Sequence, residues 1–144
     1  MPRSAPARRI EVLDQDECRR LLSTAAIGRI AYTEGALPAI QPVSFVLHSA
    51  EVLIPTRLGS TVAAASRGAV VAFEVDDVDP ATRTGWNVTV IGAARVISDP
   101  ADLRALDGLG AEPWAPTDSL CYVAVGLTLL RGRRVLPALT AATG

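Results

Sequence analysis

At Gly28 the apolar residues of this 144-residue chain change rhythm, from one every three or four positions to one every two. That switch separates a helix from a strand-rich body. Before it, Cys18, Leu21, Leu22 and Ala25 recur at helical spacing. Asp14 is the expected N-cap, with Glu17 three residues on and Leu13 and Cys18 at the two staple positions. Gly28 is the expected helix stop. After it, strands are predicted over 29–33, 39–48 and 52–56 as an antiparallel meander, then over 69–75, 86–97 and 119–130. Pro38 and Pro42 mark the second of these as an edge or bulged strand, and Gly92 marks a bulge or close backbone approach in the fifth. A short helix is predicted over 60–67 and another from Asp99 and Pro100 to Gly108. The pattern makes an α+β protein with a barrel-like antiparallel sheet. Asp76 to Pro80 reads as a polar connection, and Arg131-Gly132-Arg133-Arg134 as an exposed basic turn.

The kinds of charge narrow the chemistry. All 14 basic residues are arginine, and His48 is the only histidine. Without lysine there is no Schiff base and no P-loop. One histidine and two distant cysteines, Cys18 and Cys121, cannot build a four-ligand zinc site, so no metal is expected. Unpaired cysteines suit a reducing, cytoplasmic setting. Any activity is expected to rest on a bound cofactor. A net charge of -1 and 4% aromatic residues disfavour a nucleic-acid partner. The longest apolar run, 120–130, is about half of a membrane span, so no membrane role is expected. A mean hydropathy of +0.30 is high for a small monomer and suits an apolar subunit interface.

Three segments carry candidate chemistry. In 54–61 a strand ends and a helix begins with hydroxyl residues. Thr56, Ser60 and Thr61 offer hydroxyls to an anion at a helix N-terminus, and Arg57 a bidentate cation. Ser60 also suits a plain N-cap, and Arg57 a surface charge. In 85–88, Trp86 and Asn87 suit the wall of a flat-ring pocket, or a Trp that covers one barrel end. In 41–45, Pro42 leaves a local edge open to a ligand, or simply protects it. Trp114, between prolines, suits a lid or a plug. The acidic cluster Glu74, Asp76, Asp77 and Asp79 lacks the pattern of a calcium loop and reads as a solvated turn.

These pieces occur in an order that resembles the pyridoxamine 5'-phosphate oxidase-like FMN-binding split-barrel superfamily, in particular its small bacterial branch related to nitroimidazole-resistance-type proteins. The residues are Gly28-Arg29-Ile30-Ala31, Pro42-Val43-Ser44-Phe45, Thr56 with Gly59-Ser60, 73–77, Gly85-Trp86-Asn87-Val88 with Gly92, Pro113-Trp114, and Gly132-Arg133-Arg134. The resemblance covers about residues 10–136, with 1–9 as a disordered or frayed arm and 137–144 as a tail.

The resemblance implies a six-stranded antiparallel split β-barrel with short flanking helices. It also implies a homodimer with FMN between subunits. Gln41, Pro42, Val43 and Ser44 would face the ring, and Thr56, Ser60 and Thr61 would hold the phosphate, with Arg57 or Arg29 as a substitute cation. Asn87 would reach the flavin from the other subunit, and Trp86 and Trp114 would border the ring. A flavin-dependent oxidoreductase, a reductase using a nicotinamide donor on a small-molecule substrate, is expected. The family often has a lysine or arginine where this chain has Thr61, and the oxidases have an arginine near Gln41. The substrate-binding basic residues of true pyridoxamine phosphate oxidases find no match, so that reaction is not expected. A deazaflavin coenzyme is the alternative cofactor, with Arg131, Arg133 and Arg134 for its acidic tail. A protein that stores or senses flavin without turnover is the alternative function.

Overall fold

The computed structural model describes residues 7–139. Most of the expected arm, residues 1–6, and most of the tail, residues 140–144, lie outside them. The chain runs β1 (Arg9–Val12), α1 (Gln15–Ser23), β2 (Ile27–Glu34), β3 (Leu37–Ser44), β4 (Val46–His48), β5 (Glu51–Arg57), α2 (Thr61–Ser66), β6 (Val70–Asp79) and β7 (Thr84–Ile97). Then come α3 (Pro100–Ala105), a single 3-10 turn (Asp107–Leu109), β8 (Leu120–Gly126) and β9 (Leu129–Leu136). The architecture is the expected α+β antiparallel sheet with short helices, but the described residues form nine strands and not six.

Each extra strand has a physical cause. The segment 39–48 breaks at Phe45. Its N–H donates to Ala26 O at 3.2 Å, and its buried ring meets Phe73 edge-on, 4.8 Å between centroids. The segment 119–130 breaks at Leu127, whose N–H donates to Ala50 O at 3.0 Å. The arginine-rich stretch is therefore not a turn. It is β9, paired along the free edge of β7 from Gly85↔Val135 to Ile91↔Leu129. Its other edge in turn pairs with β1, from Arg9↔Leu136 to Val12↔Arg133. The acidic run is also strand. It extends β6 to Asp79, so Glu74 and Asp76 share one face while Asp77 and Asp79 take the other.

The sheet follows the path β3-β2-β6-β7-β8-β5-β4. Its ends, β3 and β4, are consecutive in the chain with Phe45 alone between them. The sheet therefore curls on itself, and the split of the barrel lies at Phe45. The two prolines of β3 are tolerated because β3 pairs only with β2. At Gly92 the long β7 changes partner, from β9 through Ile91 to β8 from Ala94.

Inside lie Ile30, Ile54, Phe73, Val88, Val90 and Val123, all fully buried. Helix α1 starts where expected, with Glu17 N–H donating to Asp14 Oδ1 at 2.8 Å. It buries Cys18, Leu21 and Leu22, and each leucine contributes roughly 1.5–3 kcal/mol. Its end is a correction: Thr24 is the C-cap, and Gly28 lies inside β2. There a Cβ would run into the Phe73 ring and within 2.9 Å of Glu74 O. Gly28 is thus a close-packing position and not a helix stop. Helix α3 covers the outer face of the β5-β8 region through Leu103 and Leu106, over Leu53 and Tyr122.

Candidate functional site

A groove of about 290 Å³ opens between β3, the end of β5, the start of α2 and the loop before β8. Strand β3 contributes Gln41, Pro42 and Val43. The β5 end contributes Pro55, Thr56 and Arg57, and α2 with its cap contributes Ser60, Thr61 and Val62. The loop 113–116 closes the far side with Trp114, which is 61% exposed. Four segments separated in sequence meet here because β3 ends the sheet at the split and β5, one strand in from β4, comes close to it.

Among the described residues Arg57 is the only charged one in the groove wall. The hydroxyls beside it are already organised. Ser60 Oγ accepts from Ala63 N–H at 3.2 Å and lies 3.1 Å from Thr56 Oγ1. A hydroxyl has one hydrogen to give. Whichever of Thr56 and Ser60 donates to the other, the second keeps its hydrogen for an anion. Ser60 is therefore both the plain N-cap and a candidate contact. The wall thus offers hydroxyl donors and one guanidinium at one end. Gln41, Pro42, Val43 and Trp114 supply an amide and apolar surface for the rest. That donor set fits a flat ring carrying a phosphate.

Three expected residues lie elsewhere in the same chain. Trp86 and Asn87 line a separate cavity of about 240 Å³ with Glu74, Asp76, Arg83 and Arg133. Ser44, paired with Ile27 at the end of β3, is not in the wall of either. Within this second cavity Glu74 stands out. Its Oε1 is buried without a hydrogen-bond partner. Burial first, then the neighbouring Asp76 carboxylate, pushes its carboxyl up to about 7, against a smaller opposing pull from Arg29. Arg29 reaches Asp76 at 3.7 Å.

Arg131 and Arg133 line a third cavity, of about 570 Å³, with Asn87 and Gln15. Arg134 points to the opposite face and is engaged. It donates to Glu11 at 3.2 Å and to Glu17 at 2.8 Å.

Asn87 and Arg133 are register partners and so share the outer face of the sheet. The same face carries an apolar row across five strands: Ile40, Ala31, Ala72, Ile91 and Leu129 are successive register partners. Its ends are open, Ile40 at 69% and Leu129 at 42% exposed.

Sequence reasoning missed Pro55, Val62 and Pro116 in the groove, and it missed Tyr32 behind it. The Tyr32 hydroxyl accepts a hydrogen bond from Gln41 Nε2 at 2.8 Å. Counting register outward from the Gly35-Ala36 turn would have put both on the inner face of one hairpin.

Comparison with known proteins bears on this arrangement. The family described as pyridoxamine 5'-phosphate oxidase matches residues 14–134. An uncharacterized protein of Mycobacterium tuberculosis is 39% identical over 135 residues, covering 90% of this chain and 88% of its own. The FAD binding protein from Mycobacterium smegmatis is 34% identical with a TM-score of 0.71, over 87% of this chain and 97% of that one. A conserved protein of unknown function from Corynebacterium diphtheriae is 30% identical with a TM-score of 0.73, over 88% and 98% of the two chains.

Proposed function

The chain belongs to the pyridoxamine 5'-phosphate oxidase family, and from that premise we propose that it binds a flavin in the groove between β3 and α2 and works as a homodimeric flavin-dependent reductase. The observation that carries this is the groove itself. It joins a cation and hydroxyls at one end to an amide and apolar walls at the other. A bound flavin would supply hydride or single-electron transfer. The chain's part is to hold and orient it. Arg57, Thr56, Ser60 and Thr61 take the phosphate, Gln41 to Val43 meet the ring, and Trp114 shields it from water.

FMN is the proposed cofactor. The relative from Mycobacterium smegmatis binds FAD, whose ring and first phosphate are those of FMN, so the same contacts serve either. A second copy completes the site in this reading. Asn87 lies outside the groove of its own chain, on the face with the apolar row. A copy docked on that face brings its Asn87 to the neighbouring ring and covers Ile40 and Leu129. The free, buried cysteines suit a cytoplasmic setting, and no helix among the described residues is long and apolar enough to cross a membrane.

Titrating the purified protein with FMN, FAD and the deazaflavin coenzyme, followed by visible absorbance, tests the reading. Micromolar binding of FMN or FAD supports it, and absence of binding for all three sinks it. Tighter binding of the deazaflavin favours the second reading, in which Arg131 and Arg133 in their open cavity hold its acidic tail. Turnover with a reduced nicotinamide cofactor separates a reductase from a flavin store. Dimerisation is checked with Leu129→Arg, which should lower the mass in solution to that of a monomer and release flavin in step.

A further inference from the structure

Among the described residues Gln41 is the only amide side chain in the wall of the groove, and it is held from inside the barrel. Tyr32 and Gln41 lie on facing strands of the β2-β3 hairpin, opposite Ala39 and Ile30 respectively. They are therefore diagonal neighbours on the inner face, within reach of long side chains. Tyr32 is buried, at 4% exposure, while Gln41 is open to solvent. Gln41 Nε2 donates to the Tyr32 hydroxyl at 2.8 Å. Burial, and then the charge of Glu34, push the Tyr32 hydroxyl upward, so it stays neutral at physiological pH.

An amide presents a donor and an acceptor on opposite sides of one rotatable bond. That terminal torsion is broad and roughly two-fold, so an unheld glutamine offers either end. In this structure Nε2 is the end held by Tyr32, which leaves Oε1, an acceptor, for whatever occupies the groove. The flavin ring carries a single imide N–H donor between carbonyl acceptors, so a held acceptor selects that edge of the ring.

We propose that Tyr32 is a positioning residue for the flavin site: its hydroxyl fixes the Gln41 amide so that Oε1 receives the imide N–H of the bound ring. This rests on the flavin reading of the groove and adds to it a reason for ring orientation. Tyr32 touches no ligand itself and acts only through Gln41.

The test is a double-mutant cycle on FMN binding with Tyr32→Phe, Gln41→Ala and the pair. Tyr32→Phe keeps the buried ring and removes one oxygen, and Gln41 is exposed, so all three variants should fold with near wild-type melting temperatures. Gln41→Ala should raise Kd about fivefold, the range of one hydrogen bond, Tyr32→Phe should raise it by a smaller factor because the freed amide can still turn its oxygen to the ring, and the double variant should lose no more than Gln41→Ala alone. The absorbance band of bound flavin should shift in Tyr32→Phe in the same direction as in Gln41→Ala, and no further in the double variant than in Gln41→Ala, which a general loosening of the barrel would not produce.

Additive losses, or a Tyr32→Phe protein whose Kd and spectrum match wild type, overturn the proposal. Arg57→Ala separates the two layers of the argument. If it weakens FMN while Gln41→Ala and Tyr32→Phe do not, the groove reading stands and the positioning role falls. If wild-type protein binds no flavin, both fall.

Discussion

Glu17 on α1 and Arg134 on β9 stand 117 positions apart in sequence and are joined by a 2.8 Å hydrogen bond. Arg20 donates to the same carboxylate from one turn along α1. The bond ties the first helix to a strand whose arginines look, in sequence, like a loose turn. It also sits over a tight contact. A Cβ on Gly132, two residues before Arg134, would lie 2.6 Å from Cys18 Sγ, so the helix packs where β9 has no side chain.

This pair gives the fold an acid limit. The Arg20 hydrogen bond, followed by that of Arg134, holds the Glu17 carboxyl down at about 2 from 4.5. A lowered carboxyl stabilises the fold above its unfolded value and loses that contribution as pH falls through the folded one. The melting temperature should therefore drop between about pH 4.5 and pH 2, and Glu17→Gln should flatten that part of the curve. Thermal unfolding followed by circular dichroism across this range checks it. An unchanged slope in the variant would remove Glu17 as its source.

Glu74 acts in the opposite sense. Its folded carboxyl stands at about 7, above 4.5. Its contribution is fully present below about pH 4.5 and disappears as pH rises through about 7. Glu74→Gln should melt with wild type at pH 4 and above it at pH 8, because the amide cannot take on a second negative charge beside Asp76. Equal melting at both values would show that Glu74 ionises freely in the fold.

Gly28→Ala tests the packing of β2 on β6. The added methyl would meet the Phe73 ring and the Glu74 carbonyl. Overpacking of this kind costs about 1–3 kcal/mol, so the urea midpoint should fall with no change in slope. Were Gly28 merely a helix stop, alanine would cost far less.

Charge at the groove is tested at two positions. Arg57→Ala should weaken FMN about tenfold, the size of one charge-assisted hydrogen bond. Thr61→Lys should tighten binding, with a steeper salt dependence. Isothermal titration at two ionic strengths measures both. A Thr61→Lys protein that binds as wild type does would place the phosphate elsewhere.

Much of the groove was readable because its parts are local. Ser60 as N-cap of α2 and Asp99 as N-cap of α3 depend on residues two or three positions away. The prolines at 38 and 42 declare an edge strand by their missing N–H groups. Thr56, Arg57, Ser60 and Thr61 sit within one turn of chain, so their neighbourhood is fixed by sequence alone.

What the sequence by itself determined, then, is much of what N-caps and period set: the starts of three short helices, an edge strand, an antiparallel sheet and the hydroxyl- and arginine-bearing segment 56–61. Tertiary structure decided which distant segments meet. It made β9 a strand, since β7 had a free edge to pair, and polar alternation carries no signal for that. It made Gly28 and Gly132 contact points, because Phe73 and Cys18 arrive from far along the chain. It placed Gln41 against Tyr32 across a hairpin and kept Asn87 out of its own groove. Those contacts are made by backbone pairing over long sequence separations. Their partners are chosen by the closure of the whole barrel, which no local window contains.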